Sequence, residues 1–207
     1  MNALTITEFE KEAQNALILD LRNKYVFEIG FIPHSINIGI DGDYKTYLSK
    51  ITEKDRKMVL VCSDKLEKES TKLLIKQGYT NIAGWLNGGF ENWKQSHKPI
   101  DMLINIPADE FATDLYFLNE HEAVIDIREF EARKEGEVEN SLNISLNELT
   151  ERIEDIDKSK SYYVIGSDGF GTMLAASYLK SQGCTSVKSI DASFSEIQEA
   201  LMYHKRV

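Results

Sequence analysis

Cysteine is scarce in this chain. Only Cys62 and Cys184 occur among 207 residues, too few for a disulfide framework, and two free thiols fit a reducing cytoplasm. Histidine is scarce as well. His34, His97, His121 and His204 are scattered, with no two at metal-ligand spacing, so neither a metal nor any other cofactor is expected. Basic charge is outweighed, with 24 Lys and Arg against 34 Asp and Glu, a formal net charge of -10. Nucleic acids and anionic membranes are therefore disfavoured as partners, since phosphate binding draws on concentrated Lys and Arg. Long apolar runs are missing too: none approaches the roughly 20 residues of a bilayer span. The opening MNALTITEFEKEAQ has no basic region leading into an apolar stretch, so no signal peptide is expected. What remains is an acidic chain, 42% hydrophobic and 10% aromatic, able to bury a real core and expected in the cytoplasm.

The chain repeats itself. NALILDLRNKYVFEIGFIPHSINI (15 to 38) aligns without a gap on HEAVIDIREFEARKEGEVENSLNI (121 to 144), at an offset of 106. Asp20, Arg22, Gly30, Ser35, Asn37 and Ile38 fall on Asp126, Arg128, Gly136, Ser141, Asn143 and Ile144. Downstream, KMVLVC parallels SYYVIG, KLLIKQGYTNI parallels ASYLKSQGCTSV, and NGGFENW parallels DASFSEI. A duplication of domain-sized units follows, expected as residues 1–100 and 101–207, with SHKPIDMLIN and its Pro99 as the linker.

Each copy carries the same order of elements. A short helix enters through a capping-type start, Thr5 to Glu8 or Pro107 to Phe111, and precedes a buried strand, ALILDL or AVIDI. A second short strand holds SINI or SLNI. MVLVC or YYVIG is a continuous apolar run, too short for a helix and rich in β-branched or aromatic residues. It leads through a turn into an amphipathic helix, KESTKLLIKQG or MLAASYLKSQG, that stops at a glycine. TNIAGW or TSVKSI closes the unit as a last strand. Strands alternating with helices predict an α/β fold, each unit a mostly parallel sheet with helices on both faces. The run GIDGDYKTYLSK (39 to 50) lacks the spaced oxygens of a calcium loop and is read as a plain loop. Asp20 with Arg22, and Asp126 with Arg128, are expected to be structural ion pairs at strand ends. Gly88 and Gly89 are expected to allow a close backbone approach, and Trp93 to pack the following helix on the sheet.

These residues resemble the rhodanese superfamily, in tandem. The resemblance is carried by LDLRNKYVFEIGFIPHSINI, the strand and turn at Cys62, and QGYTNIAGWLNGGFENW, with weaker versions in the second half. More narrowly, the pair resembles the two units that follow a metallo-β-lactamase-type domain in some bacterial fusion proteins, although no H-x-H-x-D-H run is present here. The resemblance implies a site at the end of the central strand, where a cysteine is followed by a turn of inward N–H groups. Such a turn, facing a helix N-terminus, lowers a thiol's pKa, so that the thiolate attacks a sulfur donor and holds the transferred sulfur. The family's pattern is Cys, two residues, Gly, one residue, Arg, Ser.

Both copies depart from that pattern. In the second, Gly166 stands in the nucleophile's place and Gly171 in the arginine's, while Gly169 keeps the glycine place. Gly166, Ser167, Gly169, Gly171 and Thr172 are then either an N–H-lined anion pocket or an empty turn, and Asp168 argues against strong anion binding. In the first copy the turn reads Ser63, Asp64, Lys65, Leu66, Glu67, Lys68, Glu69, with neither glycine nor arginine and one residue fewer. Cys62 is either a small buried residue at a strand end or a persulfide-forming thiol, with Ser63, Asp64, Lys65 and Lys68 as its candidate anion loop. Cys184 follows the helix-ending Gly183 and reads as a packing residue. A tandem unit degenerate at both sites is expected to serve as a binding or scaffold module in sulfur metabolism, its partner a protein or a small sulfur anion. The alternative is a sulfurtransferase carrying persulfide on Cys62.

Overall fold

The computed structural model of the protein describes residues 2–204, and these fall into two units, the first ending at Met102 and the second beginning at Leu103. The first unit opens with β1 (Asn2–Leu4) and α1 (Ile6–Ala13), then β2 (Leu17–Asp20) and α2 (Lys24–Glu28). β3 (Ile36–Asn37), α3 (Tyr44–Ile51), β4 (Met58–Val61) and α4 (Glu67–Lys76) follow, and β5 (Ile82–Leu86) and α5 (Gly89–Gln95) complete it. The strands form one sheet in the order β1-β5-β4-β2-β3, every pairing parallel.

The second unit repeats this plan. β6 (Ile104–Ile106), α6 (Ala108–Leu115), β7 (Glu122–Asp126), α7 (Phe130–Arg133) and β8 (Leu142–Asn143) lead into a 3-10 turn at Ile153–Asp155. β9 (Ser161–Ile165), α8 (Gly169–Ser181), β10 (Ser186–Ile190) and α9 (Phe194–His204) then close a parallel sheet of order β6-β10-β9-β7-β8.

Burial explains the central strands. All four residues of β4, Met58 to Val61, are buried, as a strand covered by helices on both sides must be. On one side Val59 and Val61 pack with Phe9, Ile18, Leu86 and Trp93, and Phe9 meets Trp93 edge-on with ring centroids 6.1 Å apart. Trp93 thus packs α5 on the sheet as expected, its indole N–H donating to the Pro99 carbonyl. α1 starts on a capping box in which Thr5 and Glu8 satisfy each other's backbone N–H groups.

Three expectations change. The run 39 to 50 is not a plain loop: Asp43 caps α3, whose Tyr44, Leu48 and Ile51 are buried on one face. Each sheet also gains an edge strand, β1 or β6, too short to show a periodic pattern. β6 takes the last residues of the expected linker, while Phe31 and Asp101 exchange backbone hydrogen bonds and tie the linker's middle to the segment after α2.

The expected strand-end ion pairs are both fully buried. Arg22 donates from Nε and Nη2 to the Asp20 carboxylate, and from Nη2 to the Gly30 carbonyl at 2.9 Å. Its guanidinium lies 4.3 Å from the centre of the Phe90 ring. Arg128 repeats every contact, to Asp126, to the Gly136 carbonyl at 2.8 Å and to the Phe194 ring. Replacing Asp20 or Asp126 by Asn leaves a buried guanidinium short of its countercharge, so either variant is expected to lose about 3–5 kcal/mol of stability in urea unfolding. A loss below 1 kcal/mol would mean that the pair is dispensable to the fold.

Candidate functional site

Cys62 ends β4 and is 3% exposed, yet it lines a cavity of about 470 Å³. Arg22, Val26, Gly88, Gly89 and Phe90 line it with Ser63, Asp64 and Glu91, the last two exposed. Sequence reasoning placed Cys62, Ser63 and Asp64 together, and they are together. It missed the opposite wall, formed by Arg22, Val26 and the start of α5. The available signal was the glycine pair: Gly88 and Gly89 both have left-handed backbone, and a Cβ on Gly89 would stand 3.0 Å from the Cys62 carbonyl oxygen. Only glycine lets α5 begin so close to the thiol's own backbone.

Lys65 and Lys68, the other loop candidates, are exposed and do not line the cavity. Lys65 instead takes the left-handed conformation (φ 64°) that the family's glycine place suits, and its ammonium lies 3.7 Å from Asp64 at the surface. The Leu66 N–H donates to the Ser63 carbonyl to close the turn. Leu66 offers no side-chain cap to α4, which starts eleven residues before Gly78, whereas α8 starts fourteen before Gly183. The first unit's helix is three residues shorter at its N-terminus, about 4.5 Å of axis.

The electrostatics around Cys62 oppose a thiolate. Burial pushes the thiol up from 9.0 to about 12, the Asp20 and Glu67 carboxylates add to the rise, and the Ser70 hydroxyl opposes it weakly. The thiolate is thereby disfavoured by roughly 4 kcal/mol. A helix N-terminus returns typically 0.3–1 kcal/mol, so the desolvation and the carboxylates win.

The second unit's turn is closed rather than open. Gly169, Gly171 and Thr172, expected in a loop, belong to the first turn of α8. Asp168 caps that helix, its carboxylate accepting from the N–H groups of Phe170 at 2.9 Å and Gly171 at 2.8 Å. The chain's own anion holds the amides that an incoming one would use. Thr172 is buried and its hydroxyl donates to the Ile190 carbonyl, while Ser167 is exposed. A Cβ on Gly166 would stand 3.0 to 3.2 Å from Thr172 and Ile127 side-chain atoms, so the nucleophile's place is filled by packing. Cys184 is buried, in line with a packing role.

Among the described residues, no group of three or more His, Cys, Asp or Glu side chains is placed to hold a metal ion, and no helix is long and apolar enough to cross a membrane.

The model of the rhodanese-like domain family matches residues 5–96 and again 110–200. Over 64 residues the chain is 34% identical to a Bacillus subtilis (strain 168) protein named "Putative sulfurtransferase YtwF", a stretch covering 31% of this chain and 62% of that relative's length. Among solved structures, the Alr3790 protein from Anabaena sp. is similar at 22% identity over 49% of this chain and 82% of its own, with a TM-score of 0.44. The thiosulfate sulfurtransferase from Pseudomonas aeruginosa is similar at 14% identity over 93% of this chain and 41% of its own, with a TM-score of 0.41. The narrower likeness to units fused to a metallo-β-lactamase-type domain finds no support in these matches.

Two outcomes follow from the loop geometries. Gly166→Cys overpacks Ile127 and Thr172 and is expected to cost about 1–3 kcal/mol in urea unfolding, without creating a thiol that takes up sulfur. Alkylation of Cys62 by iodoacetamide, followed by peptide mapping, is expected at pH 8 to run at least about a thousandfold slower in the folded than in the unfolded chain, the ratio of the thiolate fractions. An alkylation rate that levels off below pH 9 would contradict the raised pKa.

Proposed function

Since the chain belongs to the rhodanese-like domain family, as two tandem copies, we propose that it is a catalytically degenerate member acting as a binding or scaffold module linked to sulfur metabolism. The carrying observation is the surroundings of Cys62, the one thiol at a site position: buried, pushed up to about 12, with the Asp20 and Glu67 carboxylates beside it. Of the residues lining its cavity, Arg22 is the only cation, and Arg22 is neutralised by its bidentate contact with Asp20.

Sulfur transfer from thiosulfate needs a thiolate that attacks the outer sulfur, forms the new S–S bond and releases sulfite. Here the attacking species is about one part in ten thousand at pH 8, and the dianionic donor meets the exposed Asp64 and Glu91. Burial chiefly penalises the first step, with Asp20 and Glu67 adding to it, and the Asp64 and Glu91 charges penalise the second. The second unit has no sulfur at Gly166 to contribute.

A sulfurtransferase reading with persulfide on Cys62 is favoured by one feature, the cavity that reaches the thiol. Intact mass decides between the two. After incubation with thiosulfate or a low-molecular-weight persulfide and removal of the excess, the wild-type chain is expected to gain no sulfur under conditions that load an active rhodanese. One added sulfur that disappears in Cys62→Ser would replace the binding reading with the enzymatic one.

A further inference from the structure

The cavity at Cys62 opens beside an apolar stripe that the second unit does not share. Tyr25, Val26 and Ile29 are 53%, 49% and 71% exposed. Tyr25 with Ile29 and Val26 with Ile29 stand at the four- and three-residue spacings that share one helix face, and Val26 also lines the cavity. At the offset of 106 the second unit carries Glu131, Ala132 and Glu135. Its exposed aromatic in α7, Phe130, stands one position earlier and packs with the Arg133 and Lys134 cations.

The buried frame beneath the two stripes is the same: Arg22 with Asp20, Gly30 and Phe90 in one, Arg128 with Asp126, Gly136 and Phe194 in the other. Folding therefore does not require the exposed apolar groups, since the second copy builds that frame with glutamates in their place. Large apolar side chains exposed around a cavity mark a recognition surface.

Charge selects the occupant. Asp64 and Glu91 line the cavity and are exposed, Asp64 having the solvated Lys65 ammonium 3.7 Å away, and the Tyr25 ring already seats a cation, the Lys24 ammonium 4.8 Å from its centre. A second copy of this chain, at a net charge of -10, is repelled from these carboxylates, as is a sulfur anion. We propose that this face docks a basic peptide segment of a partner protein. An aliphatic or aromatic anchor enters the cavity of about 470 Å³, and flanking Lys or Arg side chains meet Asp64 and Glu91. This inference rests on the reading of the chain as a binding module.

The test pans the full chain against a displayed library of random peptides about twelve residues long. The expected pool is net basic with at least one large apolar residue. A synthetic peptide of the enriched sequence should lose at least about tenfold in affinity against Tyr25→Glu/Ile29→Glu, and again against Asp64→Lys/Glu91→Lys. It should be unaffected by Phe117→Glu, a change at another exposed apolar residue, in the second unit. Because these residues are exposed, thermal melts of the variants are expected to match the wild type. No enrichment over the Tyr25→Glu/Ile29→Glu chain, an acidic pool, or binding that survives both double variants overturns the docking site. Sulfur uptake by Cys62, measured by mass on the same preparation, separately overturns the binding-module reading.

Discussion

The buried pairing of Asp20 with Arg22, and of Asp126 with Arg128, is the constraint on which each unit is built. A guanidinium sealed from water must find several partners at once. Arg22 finds a carboxylate at its own strand end, the Gly30 carbonyl after α2 and the face of Phe90 in α5. One side chain thereby fixes β2, the turn after α2 and the start of α5. Arg22 itself, Val26 of α2 and the start of α5 line the cavity at Cys62. The same pairing sets a carboxylate near the thiol, so the interaction that shapes the pocket also weighs against ionising the sulfur inside it.

From this shared frame the two units diverge at the turn after the central strand. In the second, Asp168 supplies an anion from within the chain, and α8 starts three residues after Gly166. The amides are satisfied and the space at Gly166 is filled by Ile127 and Thr172. In the first, the helix starts later, its N-terminus uncapped by any side chain, and Lys65 turns the chain through left-handed backbone. The dipole that could favour a thiolate falls off within a turn. Withdrawing the helix start by three residues spends most of that reach. Two different local arrangements thus set the copies apart: packing fills the nucleophile's place in one, and burial with nearby carboxylates raises the thiol's pKa in the other.

Much of this was legible in the sequence because it repeats. Offset-matched Asp, Arg and Gly residues announced the ion pairs, and continuous apolar runs announced the central strands. α3 was hidden because Gly39, Asp41, Gly42 and Asp43 precede it, residues that favour turns, although Tyr44, Leu48 and Ile51 hold helical spacing. Edge strands of three residues carry too few alternations to be seen. The start of α8 was masked by Gly169 and Gly171, poor helix formers that read as loop until the Asp168 cap is in view. The cavity was hidden for a different reason. Its far wall is supplied by Gly88, Gly89 and Phe90, about a quarter of the unit away in sequence, and the left-handed backbone of the two glycines becomes visible only when folded.

The exposed residues around that cavity were legible only by comparison. Tyr25, Val26 and Ile29 by themselves read as ordinary members of a short helix, since scattered apolar surface is normal. Set over Glu131, Ala132 and Glu135 they change meaning, because a sequence that tolerates glutamate on this frame has no packing reason to keep isoleucine there. The exposed carboxylates that discourage thiosulfate are the same ones that attract a lysine or arginine. The Cys62 thiol is raised chiefly by burial and then by Asp20 and Glu67, so Asp64 and Glu91 bear on the approach of an anion or a cation rather than on the ionisation of the sulfur.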